Sequence, residues 1–340
     1  MLTHAILAAA NQAWPPFVLV AGLLLIGRAA AEDGLFDATG ARLARSRLGP
    51  RGLLVALLGL VAAVTAVLNL DTSVVFLTPV LVFAARRRGL DERPFLYGSV
   101  FMANAASLLF PGSNLTNLLV LRSAPQDGGS FAAQMLPAWL TACAITAVFV
   151  TVAFRPAEVA ARTSPELPPL QLRFGAAATL AAALLVVLLP NPAVPVLAVG
   201  IAAAIGQRLP PRFDARLLTL LFAVTVALGT VARLWHGPAR LLESSGTLAV
   251  AGIAAAASLV VNNLPATVLL AARPPAHPDA LLLGLDVGPN LAVTGSLSAV
   301  LWLQAARAVG ARPSIATYTR LGIVLVPVTL AATVAVQALG

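Results

Sequence analysis

Four polar clusters interrupt long apolar stretches of the chain, two in each half and in the same order. Residues 69–72 and 111–117 form the pair in the first half, and residues 262–267 and 288–296 form the pair in the second. Irregular polar backbone at membrane depth is tolerated only where it is buried in protein or lines a water-filled cavity. The clusters are therefore expected to lie inside the protein rather than against lipid.

The composition defines the class of protein. Of the 340 residues, 59% are apolar and 10% are charged, which leaves too little polar material to cover a soluble domain of this size. We therefore predict an all-α polytopic membrane protein. All 22 basic residues are arginine, and we place them in loops, so we interpret the net charge of +9 as topological anchoring rather than as a nucleic-acid surface.

The sequence gives little support to enzyme chemistry. Cys143 is the only cysteine and the three histidines are far apart, so neither a disulfide framework nor a metal site is expected. The sequence offers no Ser–His pair, zinc-ligand spacing or glycine-rich phosphate loop. We therefore expect no catalytic residue and no cofactor, and a membrane-embedded enzyme is the least supported class.

About eight membrane-spanning helices are predicted. Six uninterrupted apolar stretches have the length of a span: 14–31, 131–153, 174–189, 193–207, 217–235 and 317–339. Two more stretches, 94–122 and 280–308, are long enough to cross but contain a polar cluster midway, and we predict that each is a broken helix. Residues 1–13 are expected to lie along the membrane interface.

The arginines indicate how the remaining stretches, 51–85 and 241–272, are arranged. Arginines flank 51–85 on both sides, at positions 42, 45, 47 and 51 before it and at 86, 87, 88 and 93 after it. Because positively charged loops stay in the cytoplasm, both ends of 51–85 are expected there, and the stretch becomes a re-entrant hairpin. The same rule places the second hairpin, 241–272, on the opposite face, with both chain termini outside.

Two similar modules of opposite orientation form an inverted-topology repeat. We predict a first repeat over 1–153, a cytoplasmic linker over 154–173 and a second repeat over 174–340. The second half has three spans before its hairpin and the first half has only one, so two helices expected from symmetry are missing. Either the protein is a reduced form or its true start lies upstream.

Paired interruptions of this kind indicate a transporter whose binding site lies where the halves meet. Half-helix N-termini suit an anion or a polar neutral solute, and exposed carbonyl groups suit a cation. The candidate substrate-binding residues are Asn69, Thr72, Ser113, Asn114, Thr116, Asn117, Asn262, Asn263, Thr267, Asn290, Thr294 and Ser296, with Ser298 nearby. They predict a hydrogen-bonding cage without a fixed positive charge. Alternatively, such residues hold neighbouring helices together.

Asp71 and Asp286 are the carboxylates that we place well inside the membrane. A charge at that depth costs roughly 2.5–3.5 kcal/mol on insertion scales, so an intramembrane acid is a functional candidate. Our hypothesis is that Asp71, at the first hairpin tip, carries a proton or binds a cation, and that Asp286 is the second such group. The structural alternative is that each carboxylate caps a half-helix.

The chain resembles the ArsB-type arsenite efflux permeases of the ion transporter superfamily, which also contains sodium/dicarboxylate symporters and sodium/proton antiporters. The most specific matching motifs are 261–266 (Val-Asn-Asn-Leu-Pro-Ala) and 286–291 (Asp-Val-Gly-Pro-Asn-Leu), with supporting motifs at 69–72 and 113–118. The Ser-Asn-Thr signature of the superfamily's hairpin tips is altered here. This departure favours the arsenite branch over the dicarboxylate branch.

This resemblance implies a scaffold and a moving transport unit made of the hairpins and broken helices, with elevator-like alternating access. It implies proton-coupled efflux of arsenite or antimonite across the inner (plasma) membrane. The implied partners are the lipid bilayer, a small inorganic solute or anion, a second copy in a homodimer and an arsenite-pump ATPase. A sodium/proton antiporter or a dicarboxylate-type anion symporter stays open, as does a passive channel. The coupling ion would be a proton or sodium.

Overall fold

The computed structural model describes residues 2–123, 126–154, 174–189, 191–209, 215–235 and 237–339, and all regular secondary structure within these ranges is helical. The α-helices are α1 Leu2–Glu32, α2 Leu35–Arg45, α3 Pro50–Val67, α4 Leu70–Arg87, α5 Arg93–Ala106, α6 Leu115–Ser123, α7 Gly128–Ala153, α8 Phe174–Leu188, α9 Ala193–Gly206, α10 Ala215–Leu234, α11 Gly237–Glu243, α12 Thr247–Val261, α13 Asn263–Leu270, α14 Pro278–Val287, α15 Leu297–Ala308 and α16 Ile315–Gln337. The predicted all-α class is confirmed.

The N-terminal residues do not lie along the membrane interface as predicted. They form the first third of α1, a helix of 31 residues that continues through Pro15 and Pro16. Its length is about 46 Å at 1.5 Å per residue. Ala5, Ala9 and Ala13 are buried, so this segment is held by packing against the rest of the protein.

Several helices have the length and composition of a membrane span. Among the described helices, α1, α3, α7 and α16 meet this criterion alone, and the bent pair formed by α10 and α11 is a fifth candidate. The predicted spans 174–189 and 193–207 are shorter helices, α8 and α9, of 15 and 14 residues. Asp33 accepts hydrogen bonds from the Gly175 N–H at 2.8 Å and from the Gln207 amide at 2.7 Å. The start of α8 and the end of α9 therefore lie together at one end of α1.

The stretch 51–85 folds as a helical hairpin. Helices α3 and α4 are separated by a break at Leu68 and Asn69. Arg88, just after α4, donates hydrogen bonds to the carbonyl oxygens of Ala44 at 3.2 Å and Leu48 at 2.8 Å, just before α3. Both ends of the hairpin therefore lie at the same end of the molecule.

The second hairpin consists of α12 and α13. Its tip residue Asn262 has a φ of 75°, in the left-handed region that lets the chain turn sharply. Leu270 and Ala271 at the end of α13 share a buried cluster with Leu242 and Val250 near the start of α12, so this segment also returns towards its origin.

The two hairpins approach α1 from opposite ends. Gln12, near the start of α1, donates to the carbonyl of Ala271 at the end of the second hairpin, at 3.4 Å. Near the end of α1, Gly27 lies against Thr72 of the first hairpin. The division into repeats and the assignment of membrane sides stay predictions. Most of the predicted linker, residues 155–173, lies outside the described residues.

The helices form two groups that pack against each other. The outer layer consists of α1 with α8, α9 and α10 packed along it. The hairpin layer contains the hairpins and the two interrupted segments, α5–α6 and α14–α15, with α7 packed against α16. Pro111–Ser113, Gly288–Leu291 and Val293–Gly295 form short 3-10 turns at the interruptions, so both predicted helix breaks are present.

The sidedness of the hairpins can be tested by cysteine labelling from either face of the membrane. In a Cys143→Ser background, we expect Arg45→Cys and Arg87→Cys to react with an impermeant reagent from the cytoplasmic side and Arg273→Cys from the outside, because the three arginines are exposed and flank opposite hairpin bases. Labelling of positions 45 and 87 from different sides would contradict the hairpin assignment.

Candidate functional site

A cavity of about 280 Å³ lies between the outer layer and the hairpin layer. The outer layer contributes side chains from α1 and α10, including Leu24, Arg28 and Leu221. Both hairpin tips and both helix breaks contribute the rest. Their residues are Leu70, Asp71, Thr72, Val75, Phe76, Asn114, Leu115, Thr116, Asn263, Leu264, Leu297, Ser298 and Leu301. Residues of the first three polar clusters, and Leu297 and Ser298 directly after the fourth, therefore meet at one place.

Four helix N-termini converge on this cavity. The lining residues Leu70, Leu115, Asn263 and Leu297 are the first residues of α4, α6, α13 and α15, respectively. A helix N-terminus carries unpaired N–H groups and roughly half a positive charge. The sequence predicted half-helix ends at the site but did not establish that all four would be N-termini.

One polar residue in each cluster caps the helix that follows it. The side-chain oxygen of Asn69 accepts from Thr72 N–H at 2.7 Å, and that of Asn262 accepts from Leu264 N–H at 3.3 Å. At the helix breaks, the oxygen of Asn114 accepts from Thr116 N–H at 3.3 Å and that of Ser296 from Ala299 N–H at 3.2 Å. These caps fix the start of each helix and leave its other free N–H groups available.

The predicted substrate-binding residues divide into two sets. Thr72, Asn114, Thr116 and Asn263 line the cavity, together with Ser298. The residues outside its lining are Asn69, Ser113, Asn117, Asn262, Thr267, Asn290, Thr294 and Ser296.

Several residues of the second set connect structural elements. The Ser113 hydroxyl donates to the carbonyl of Ala66 in the first hairpin at 3.0 Å. The amide of Asn262, at the tip of the second hairpin, donates to the carbonyl of Thr294 at 3.2 Å. Each hairpin is therefore hydrogen-bonded to the helix break in its own half. Asn290 accepts from the amide of Asn104 at 2.7 Å and thereby joins the two halves. These contacts show a structural role, and any direct contact of these residues with substrate stays a prediction.

The remaining members of this set stabilise local backbone. The Asn117 amide donates to the carbonyls of Ser107 at 2.8 Å and Phe110 at 3.1 Å, across the first helix break. The Thr267 hydroxyl donates to the Asn263 carbonyl at 2.6 Å within α13. These residues therefore keep the chain in the shape that the cavity requires.

Asp71 lies on the cavity wall in the first turn of α4. The alternative interpretation, that it caps this helix, is wrong because Asn69 is the cap. An acidic side chain in the first turn also interacts favourably with the helix dipole. The carboxylate is only half-buried, so it is accessible to a solute or ion in the cavity.

Asp286 lies behind the cavity wall and is fully buried. Its Oδ1 accepts from the amide of Asn114 at 2.9 Å and from the hydroxyl of Thr116 at 2.5 Å, so it joins α14 to α6. Among the described residues, its Oδ2 has no hydrogen-bond partner. Asp286 precedes the second break but does not cap a helix N-terminus, which corrects the structural alternative proposed for it.

Arg28 introduces a positive charge that the sequence analysis missed. It lines the cavity from α1, its side chain is 17% exposed, and its guanidinium lies 4.0 Å from the carboxylate of Glu32, one turn further along the helix. The expectation of a cage without fixed positive charge is therefore wrong. The sequence did contain a signal, because an arginine three residues inside the predicted span 14–31 is itself an intramembrane charge.

A second missed network joins the layers at the other end of α1. The amide of Gln12 donates to the carbonyls of Leu119 in α6, at 3.3 Å, and of Ala271, and its oxygen accepts from the Arg233 guanidinium at 2.5 Å. This network connects α1 and α10 of the outer layer to elements from both halves of the hairpin layer. It was missed because residues 1–13 were not expected to form part of α1.

The close approach of α1 to the first hairpin tip gives a testable prediction. A Cβ at Gly27 would overlap the methyl group of Thr72, whereas a Cβ at Gly59 of α3 would meet nothing within 4 Å. We expect Gly27→Ala to destabilise the protein by about 1–3 kcal/mol through overpacking. The matched variant Gly59→Ala should be neutral or stabilising by up to about 1 kcal/mol. Melting temperatures in detergent compare the two, and equal values would contradict the close approach.

Two discontinuous hairpins and two interrupted helices that enclose a polar cavity among apolar helices define a secondary membrane transporter. The class is a transporter and not an enzyme. The family model described as citrate transporter matches residues 1–289, and the chain belongs to this family.

Two curated relatives and one solved structure are similar to the chain. The uncharacterised transporters MT2759 and Rv2685, from two strains of Mycobacterium tuberculosis, are each 25% identical to it over 361 residues, covering 93% of this chain and 84% of the relative. The crystal structure of the Alcanivorax borkumensis YdaH transporter matches with a TM-score of 0.62 and 16% identity, covering 99% of this chain and 87% of that one. At this identity the structural match shows the fold alone. The narrower resemblance to arsenite permeases stays a prediction.

Proposed function

We propose that this protein is a secondary active carrier of a small carboxylate anion, which the sequence analysis held as the alternative to arsenite efflux. The observation that carries the proposal is the convergence of four helix N-termini and Arg28 on one cavity. Each N-terminus offers free N–H groups and partial positive charge to an anion, and a guanidinium pairs with a carboxylate through two parallel hydrogen bonds. The description of the family as citrate transporters supports the same class of solute.

The size and polarity of the cavity also fit such a solute. Its volume of about 280 Å³ is near the lower end of ligand sites, which suits a small molecule. The Thr72 hydroxyl has no partner within the described residues and can donate to a carboxylate oxygen that Arg28 does not reach, whereas the Thr116 and Ser298 hydroxyls already donate to Asp286 and Ser296. Apolar residues such as Phe76 and Leu301 form the rest of the wall and exclude water.

Asp71 and Asp286 are proposed as the coupling groups for a proton or sodium. Asp71 lines the cavity, and the Oδ2 of Asp286 has no hydrogen-bond partner within the described residues, so each carboxylate has an oxygen that can accept a proton or a cation contact. A cation near these acids would offset the negative charge that an anionic substrate brings into the site. We propose that the solute and the coupling ion bind at the same time. Asp71 is proposed as the main coupling group and Asp286 as the second.

The cavity's position between the layers supports alternating access. A displacement of the hairpin layer relative to α1 and α10 would carry the tips towards one membrane face and then the other, in the elevator-like manner of the superfamily. We further propose a homodimer in the cell's plasma membrane, with both termini outside. A partner ATPase belongs only to the arsenite alternative.

The arsenite alternative uses the same hydroxyl and amide groups but gives Arg28 no role. Arsenous acid is neutral at physiological pH, so neither the guanidinium nor the helix N-termini would gain a charge interaction with it. For this reason we place the carboxylate anion first. A passive channel differs from both alternatives because it cannot accumulate a solute against a gradient.

Transport in reconstituted vesicles tests the proposal. Purified protein would be given labelled citrate, labelled malate or arsenite, with an imposed proton or sodium gradient and with the gradient collapsed by an ionophore. We expect saturable, gradient-dependent accumulation of a carboxylate, with competition between carboxylates. Gradient-driven movement of arsenite without any carboxylate transport would overturn the proposed cargo, and non-saturable equilibration would indicate a channel.

A further inference from the structure

An arginine-rich surface surrounds the base of the first hairpin. Its centre is the α2 arginine cluster, which we define as Arg42, Arg45, Arg47 and Arg51, and all four side chains are exposed. We propose that this cluster binds the headgroups of anionic phospholipids and that this binding stabilises the first hairpin in its transport-competent position.

The two faces of α2 serve different purposes. Phe36, Gly40 and Ala44 are buried against the protein, whereas Arg42 and Arg45 project from the exposed side. This short helix lies between the candidate membrane spans α1 and α3 and has a basic face that is free to meet lipid headgroups, so we assign it to the membrane surface. Clusters of four or more basic residues at such a position are typical binding sites for anionic lipids.

Asp91 and Glu92, the acidic residues nearest the hairpin base, are already paired with other arginines. Asp37 in the first turn of α2 is one negative charge against four arginines, so the cluster keeps a net positive charge. Glu92 pairs with Arg86 at 2.5 Å and Asp91 pairs with Arg93 at 2.8 Å. Arg86 also donates to the carbonyl of Val309 at 2.6 Å, which brings the turn after α15 to the same surface. Three exposed arginines, Arg87, Arg307 and Arg312, therefore extend the basic surface around the cluster.

The cluster is mechanically connected to the transport cavity. Phe36 of α2 stacks on Phe76 of α4 with ring centroids 5.8 Å apart and an interplanar angle of 22°, and Phe76 lines the cavity. Gly40 lies directly against Val80, one helical turn further along α4. A lipid that holds α2 in place therefore also holds the cavity-facing arm of the first hairpin.

A second contact fixes the loop that carries the cluster. The guanidinium of Arg88 donates to the carbonyls of Ala44 at 3.2 Å, Ser46 at 3.1 Å and Leu48 at 2.8 Å. The segment between α2 and α3 is thus attached to the end of α4. The cluster and the hairpin base consequently form one unit at the bilayer surface.

Guanidinium groups suit phosphate because they donate two parallel hydrogen bonds in a fixed plane. At an anionic membrane surface each additional basic residue strengthens binding roughly fivefold. Removing two arginines from the cluster should therefore weaken a selective lipid interaction by more than tenfold, whereas removing two arginines elsewhere should not.

Lipid selectivity can be measured without any knowledge of the cargo. The full chain would be reconstituted in mixed membranes, and the association of spin-labelled phosphatidylglycerol would be compared with that of spin-labelled phosphatidylcholine. The test variant is Arg42→Gln with Arg45→Gln. The matched control is Arg240→Gln with Arg273→Gln, which removes the same charge from the base of the second hairpin.

We expect the unaltered protein and the control to select phosphatidylglycerol over phosphatidylcholine. In the test variant this selectivity should be more than tenfold lower. Phosphatidylglycerol should also raise the melting temperature of the unaltered protein and the control but not of the test variant. Inorganic phosphate in the buffer should not replace the lipid. Equal selectivity in the test and control variants, or competition by phosphate alone, would overturn the proposal.

A conservative variant keeps the experiment informative if the glutamine variant fails to fold. Arg42→Lys with Arg45→Lys retains the charge but loses the bidentate geometry, so it should keep most of the lipid selectivity. Complete loss of selectivity in the lysine variant would contradict a mainly electrostatic lipid site. Because these measurements need no cargo, they can succeed even if the carboxylate proposal fails.

Discussion

Replacing Arg28 by glutamine is expected to weaken carboxylate binding by tenfold to more than a hundredfold. Hydrogen bonds to charged groups contribute about 1.5–3 kcal/mol, and 1.4 kcal/mol corresponds to a factor of ten. Arg28 reaches the cavity from the outer layer, opposite the N-terminus of α4. The effect should appear in the KM for carboxylate uptake, since the guanidinium is proposed to bind the solute in the state in which the cavity lies against α1.

Two companion variants separate charge from position. Arg28→Lys keeps the charge and should recover part of the affinity, because an ammonium cannot reproduce the two parallel hydrogen bonds of a guanidinium. Arg320→Gln removes an exposed arginine from α16 that does not line the cavity, and it should leave the KM unchanged. An unchanged KM in Arg28→Gln would contradict an anion site and return the neutral-solute alternative to first place.

Neutralising Asp71 should abolish gradient-driven accumulation while leaving membrane insertion intact. Asparagine has nearly the same size as aspartate, so the cavity should keep its shape. The variant lacks the carboxylate that is proposed to bind a proton or sodium. We expect exchange of internal for external solute to survive better than net uptake, because exchange does not require the coupling ion to be released. Full coupled uptake by this variant would disprove the role of Asp71.

Asp286→Asn tests the second acid in a different environment. Its carboxylate accepts hydrogen bonds from Asn114 and Thr116, and an amide nitrogen in place of an oxygen would face one of these donors or occupy the site of Oδ2. We therefore expect a loss of coupling together with some loss of stability, measured as a lower melting temperature. Asp127→Asn is the matched control, because Asp127 caps α7 at an exposed position and asparagine caps equally well.

The sequence predicted the first hairpin and the two helix breaks because each has a strong local signal. The arginines on both sides of 51–85 required a chain that returns, and α3 and α4 do return. Prolines and glycines within 94–122 and 280–308 weaken a helix, and both segments are interrupted there. Such local signals predict where the helices break. They do not predict which end of each half-helix points towards the cavity.

The remaining features depend on contacts between distant parts of the chain. Asn69 and Asn262 were predicted to bind substrate; in the structure each caps a helix, and direct contact with substrate stays a prediction. The position of Asp286 behind the cavity depends on Asn114 and Thr116, more than 160 residues earlier. Residues 1–13 were predicted to lie along the membrane interface, but Ala5 and Ala9 pack inside the protein and α1 continues through Pro15 and Pro16.

The most direct test of the account is whether one solute protects both hairpins at once. In a Cys143→Ser background, Val75→Cys and Leu264→Cys place a thiol on the cavity wall from the first and second hairpin, and Arg87→Cys places one outside it. Labelling by a small thiol reagent would be followed with and without the transported carboxylate. The account predicts that the solute slows labelling at both cavity positions and not at position 87. Protection at only one hairpin, or at neither, would contradict a single site formed by the two tips.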